Sequence, residues 1–111
     1  MVKVFTTSRY KIDRSSIVQA AESYLQRQRV NHDMVVNIVF IGTRKMKKIA
    51  QDFKSENEAL PVLSFRYGEN ELLGEIFICY PQAILLAAER DRGVDETIMQ
   101  LLTHGIDNIV S

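Results

Sequence analysis

The apolar patterns along the chain predict an α+β fold: one domain, residues 1–111, in which a mixed four-stranded sheet is packed by about four helices. Three observations carry that reading. Residues 35–41 and 72–79 are short, strongly apolar runs of the kind that make buried strands. Other stretches repeat their apolar residues at helical spacing, and the order of the two patterns is β-α-β-α-β-β-α-α. A length of 111 residues supports one hydrophobic core of ordinary size and no second one.

Each element has a local reason. Val2–Thr6 is short and β-rich and reads as the first strand. Residues 15–29 place Ile17, Ala21, Tyr24, Leu25 and Gln28 on one side of a helix, with Ser16 and Gln19 spaced as a capping box. Val35–Ile41 is almost wholly apolar and suits a strand buried on both faces. Gly42 turns the chain, and Thr43 is placed to cap a second helix whose core stripe is Met46, Ile49, Ala50 and Phe53. Arg44, Lys45, Lys47 and Lys48 mostly face away from that stripe.

Residues 61–66 read as a strand that begins at Pro61, where a missing N–H costs least. Gly68 and Asn70 mark a turn across Tyr67–Glu71, and Leu72–Cys79 returns antiparallel to the preceding strand. Pro81 suits the first turn of a helix that runs to about Arg92 and ends at Gly93. Asp95 is placed as N-cap of the last helix, with Ile98, Leu101, Leu102, Gly105 and Ile109 on its apolar side.

Composition narrows the class. The chain is 46% hydrophobic and 25% charged, which excludes a disordered chain. A single cysteine makes no internal disulfide and points to a reducing compartment. No apolar run approaches membrane-spanning length, and the N-terminal segment lacks the apolar stretch of a signal peptide, so a soluble cytoplasmic protein with no membrane partner is expected. The formal charge of zero conceals an asymmetry: residues 1–54 carry eleven Lys/Arg and four Asp/Glu, whereas residues 55–111 carry three and ten. Folding either separates these into a basic and an acidic face, the former suited to a polyanion such as RNA, or mixes them.

His104 is the most informative polar residue. Asp107 and Asn108 follow it at i+3 and i+4 and share its helix face, the spacing by which a helix grips a metal. Asp107 is the better companion ligand, since the neutral Asn108 amide is less basic than imidazole or thiolate. His32 lies between a helix and a strand and reads as a loop residue. Cys79 sits in an apolar strand with no adjacent cation, as a buried inert thiol. Ser64 has no flanking glycines of a nucleophile elbow, which argues against a hydrolase triad. The cations at 44–48 are either a solvated helix face or an RNA contact.

Two segments together point further. Val62-Leu63-Ser64-Phe65 and Leu73-Gly74-Glu75-Ile76-Phe77-Ile78-Cys79, followed by Leu101-Leu102-Thr103-His104-Gly105, resemble the YbeY-type rRNA maturation endoribonuclease family. Val36–Gly42 and the helix after it match the same layout, so the resemblance spans nearly the whole chain. It implies an α+β domain that holds zinc through three histidines spaced H-x3-H-x5-H and cleaves single-stranded RNA during ribosomal RNA maturation. An arginine from the segment before the Val62–Phe65 strand is implied to line the same cleft. Zinc in such a site activates water or stabilises charge on the phosphate, and the cation holds the phosphate.

Carried over by position, the resemblance makes His104 and Lys54 the catalytic candidates. His104, Asp107 and Asn108 become the metal candidates, and Arg44, Lys45, Lys47, Lys48 and Lys54 the RNA-binding ones. His104 fits the first histidine, Asn108 stands at the second in ungapped register or at the third in a gapped one, and Lys54 stands at the arginine. Lysine keeps the charge but not the bidentate fork. Leu60 and Pro61 replace a threonine and an aspartate. Three readings follow: a zinc-dependent endoribonuclease, a non-catalytic RNA- or ribosome-binding relative that has lost the zinc site, and a chain shortened at its C-terminal end.

Overall fold

A computed structural model describes residues 1–110 and places eight elements in the expected order. They are β1 (Val2–Phe5), α1 (Arg14–Arg27), β2 (Val35–Ile41), α2 (Thr43–Lys54), β3 (Val62–Glu69), β4 (Leu72–Cys79), α3 (Tyr80–Glu89) and α4 (Val94–Val110). The strands form one mixed sheet in the order β1-β2-β4-β3. β1, β2 and β4 run parallel, and β3 pairs antiparallel with β4 as expected of the hairpin. At the hairpin turn Gly68 and Asn70 take positive φ values of 63° and 54°, which glycine adopts freely and asparagine tolerates better than most residues.

Strand alternation gives the sheet two different faces. On one, Val2, Val4, Val36, Ile38, Phe40, Ile76 and Ile78 join Ile17, Ala21 and Leu25 of α1 and the apolar side of α4 in the main core. Burying each such aliphatic side chain contributes about 1.5–3 kcal/mol relative to leaving it in water. Two glycines set how closely α4 approaches. A Cβ on Gly105 would stand 2.8 Å from Ile76, and one on Gly74 would stand 2.5 Å from the Phe65 carbonyl oxygen and 2.9 Å from Ile109. On the opposite face α2 packs its Met46 and Ala50 against Ile41, Leu63 and Cys79, with Ala59 and Leu60 of the following connection beside them.

Several element ends differ from expectation. Asp13, not the Ser16/Gln19 pair, caps α1: its carboxylate accepts from the Ser16 amide at 3.1 Å and the Ser16 hydroxyl at 2.7 Å. Those bonds stabilise the charged form and hold the Asp13 carboxyl below its ordinary pKa. Gln28 lies past the end of α1 and is exposed. Gly42 rather than Thr43 precedes α2 as its cap residue. β3 continues to Glu69, because its pairing with β4 extends past the expected turn. α3 stops at Glu89 with Asp91 at φ 53°, so the chain leaves the helix before Gly93. The Gly93 carbonyl accepts the first bond of α4, from Thr97, which puts Asp95 inside the first turn. β2 is buried throughout on the main-core side, whereas its other face is half-buried at Val35, Asn37 and Val39 and buried only at Ile41.

Candidate functional site

α4 carries His104, Asp107 and Asn108, and its apolar stripe fixes where they stand. Leu101, Leu102, Gly105, Ile106 and Ile109 are buried, so the three polar residues are left on the solvent side. His104 Nε2 lies 3.4 Å from Asn108 Nδ2, the i+4 neighbour expected from helical spacing. Asp107 is engaged elsewhere. Its Oδ1 accepts a 2.6 Å hydrogen bond from the Tyr24 hydroxyl of α1, across 83 residues of sequence. That bond, more than burial, raises the Tyr24 phenol pKa, because the proton is held between the oxygens.

The donor chemistry can be compared with what zinc requires. A protein zinc site takes three or four imidazole, thiolate or carboxylate donors converging on one point. Here one imidazole faces a neutral amide, and the adjacent carboxylate already serves a phenol. Among the described residues no three His, Cys, Asp or Glu side chains come together in a metal-holding group. The donor set that residues 1–110 present does not fit a tightly held zinc.

Lys54 ends α2, and Arg44, Lys45, Lys47 and Lys48 are exposed along the same helix. Lys48 is 4.0 Å from Asp52, a solvated i,i+4 pair that contributes little. α2 packs on one face of the sheet and α4 on the other, so the two groups of candidates stand on helices separated by the sheet. At this level the charge asymmetry becomes spatial. α2 carries five cations and one acid, whereas α4 carries three acids and no Lys or Arg.

The remaining candidates are structural. His32 is exposed in the α1–β2 connection, and its carbonyl accepts from the Met1 ammonium at 3.0 Å. Cys79 is fully buried, and burial pushes its thiol above the ordinary range. Ser64 is half-buried in β3, paired with Ile76 of β4. Sequence reasoning did not find Tyr24 as the partner of Asp107, because no local pattern links residues so far apart.

Comparison with known proteins supplies the remaining observations. A family model described as Endoribonuclease YbeY matches residues 4–107. A protein of Thermosipho melanesiensis named Endoribonuclease YbeY is 28% identical over 78 residues, covering 70% of this chain and 56% of that protein. One of the same name from Thermodesulfovibrio yellowstonii is 30% identical over 78 residues, covering 66% of this chain and 49% of its own. The chain thus spans about half the length of the curated relatives it matches. Among solved structures, the solution structure of TM1509 from Thermotoga maritima superposes with a TM-score of 0.66 at 19% identity, covering 100% of this chain and 73% of that one.

Proposed function

Because the chain belongs to the endoribonuclease YbeY family, we propose that it engages single-stranded RNA in ribosomal RNA processing. The family match over residues 4–107 carries this reading. The basic surface of α2 supports it, since a helix with five cations and one acid attracts a polyphosphate backbone.

Two forms of this function differ in one observable. Endonucleolytic cleavage is supported by the name that the family model and the relatives share. Binding without cleavage is supported by the α4 donor set, in which Asp107 is taken by Tyr24 and His104 faces an amide. Hydrolysis of a phosphodiester needs a positioned water and a charge on the phosphate. One imidazole beside an amide falls short of the ligands a zinc site needs, so RNA binding is the function we assign to the side chains of residues 1–110, with zinc-dependent cleavage as the second reading.

The decisive experiment combines metal analysis and cleavage on one preparation. The protein is equilibrated with zinc and desalted, its bound metal is measured, and it is incubated with labelled single-stranded RNA. The expected outcome is RNA binding with far less than stoichiometric zinc and no cleavage. Stoichiometric zinc with cleavage that His104→Ala abolishes would establish the second reading instead.

A further inference from the structure

The sheet face opposite α4 is only partly covered. α2 lies over Ile41, Leu63 and Cys79, Ala59 and Leu60 of the following connection pack beside it, and beyond them the face is lined by side chains of the strands themselves. Those side chains are unusually aromatic. Phe65 and Phe77 are half-buried, whereas Phe5 is 49% exposed, Tyr67 44% and Phe53 of α2 67%. A solvent-facing sheet surface is normally lined by polar residues, so this composition calls for a reason.

The rings form an ordered row. Phe53 meets Phe65 edge-on with centroids 5.4 Å apart, and Phe65 meets Phe77 edge-on at 5.8 Å. The row runs from the last turn of α2 across β3 to β4. Next to it is a polar cluster: Glu75 accepts from the Tyr67 hydroxyl at 2.9 Å and from the Asn37 amide at 3.3 Å. Strand alternation puts Lys3 and Phe5 on the same side of the sheet, at its β1 edge. The β1-β2-β4-β3 order separates that edge from the Phe65 strand by roughly 14 Å, three inter-strand spacings. Beside the row, α2 presents Arg44, Lys45, Lys47, Lys48 and Lys54 to solvent.

We propose that this half-open face is a stacking platform for single-stranded RNA: bases lie on the Phe53 and Phe65 rings while phosphates follow the cations of α2. Flat π-faces beside a line of positive charge are the two elements that bind single strands without sequence preference. The charge distinguishes RNA from the other occupants of an apolar face. Five cations against the single acid Asp52 leave the rim basic, so it repels a second copy of α2 and attracts a polyanion. Glu75 is an acidic group on the platform, and its bonds to Tyr67 of β3 and Asn37 of β2 spread its charge and hold it between the two neighbouring strands. Glu56 and Glu58, exposed in the connection after α2, direct the phosphate path along the helix and away from that loop.

The inference rests on the reading of RNA as the ligand, and the test separates the two. The intact chain and its variants are titrated with a fluorescein-labelled oligouridine, read by anisotropy at several salt concentrations. Phe53→Ala removes a mostly exposed ring and its edge-on contact with Phe65, so it is expected to lower thermal melting only slightly and to weaken binding about tenfold, with Phe53→Tyr restoring both. Replacing Lys45, Lys47 and Lys48 with Gln is expected to flatten the salt dependence. The chain contains no tryptophan, so Phe53→Trp introduces a single indole whose emission is expected to be quenched by stacked bases. No RNA binding by the parent chain overturns the proposed function and the platform with it. Binding that Phe53→Ala leaves unchanged, with no quenching in Phe53→Trp, overturns the platform alone. A dimer in sedimentation that Phe53→Ala dissociates assigns the face to a second copy and also overturns it.

Discussion

The two faces of the sheet use the same strands and reach opposite ends. On the α1/α4 face, alternate residues of β1, β2 and β4 are apolar and buried, aliphatic but for Phe40, and two glycines let α4 settle against the strands. On the α2 face, the intervening residues are Ile41, Leu63 and Cys79, buried under α2, and Lys3, Phe5, Asn37, Glu75, Phe77 and Phe65, none of them fully buried. The first face is built to exclude water from a core. The second keeps large rings and hydrogen-bonding groups within reach of solvent. One strand, through its two-residue period, thereby serves both stability and recognition.

Neighbouring residues of β4 test this contrast most sharply. Ile76 is fully buried under α4, so Ile76→Ala is expected to cost about 4 kcal/mol in chemical denaturation, transfer and cavity terms together. Phe77 points the other way and is half-buried, so Phe77→Ala is expected to cost about half as much despite removing more atoms. Equal losses at the two positions would show that the α2 face is as closed as the other. Gly105→Ala is expected to cost about 2 kcal/mol, because the new methyl would stand 2.8 Å from Ile76 and must push α4 off the sheet. No loss there would mean that the contact between α4 and the sheet is loose.

The smallest effect expected is at the α1 cap. The Asp13 carboxyl is held below its ordinary value of 3.8 by the Ser16 bonds, so its stabilising contribution is present above the unfolded-state pKa. It is lost as pH falls through the lower folded value. Asp13→Asn is therefore expected to lower Tm slightly at neutral pH, and the gap between it and the parent is expected to close in acid, as pH falls through the lowered folded value. A gap that persists in acid would assign the effect to something other than the carboxylate charge.

The parts of the fold legible in sequence are those set by local pattern. β2 and β4 were expected at Val35–Ile41 and Leu72–Cys79 and stand there, since dense runs of apolar residues leave little choice of boundary. The burial of Gly105 and Ile109 followed from the α4 stripe in the same way. Phe53 shows where pattern misleads. It continues the Met46-Ile49-Ala50 stripe at the correct spacing, yet is 67% exposed, because it meets the sheet only edge-on at Phe65. Periodicity tells which side of a helix faces inward, but not how far the surface beneath it extends. The candidate site divides similarly. The proximity of His104 and Asn108 is a local consequence of helix geometry, whereas the capture of Asp107 by Tyr24 depends on how α1 and α4 dock.

Strand order carries a consequence for synthesis. β4 lies between β2 and β3, yet it follows both in the chain, so neither inner edge is covered when residues 1–71 have left the ribosome. β2, with the sequence Val-Val-Asn-Ile-Val-Phe-Ile, waits with one edge bare, and β3 has no partner at all until β4 arrives. Unpaired apolar edges of this kind template association between chains. The nascent protein therefore passes through a window in which its folding depends on being kept apart from its copies, and that window closes when residues 72–79 slot into the centre of the sheet.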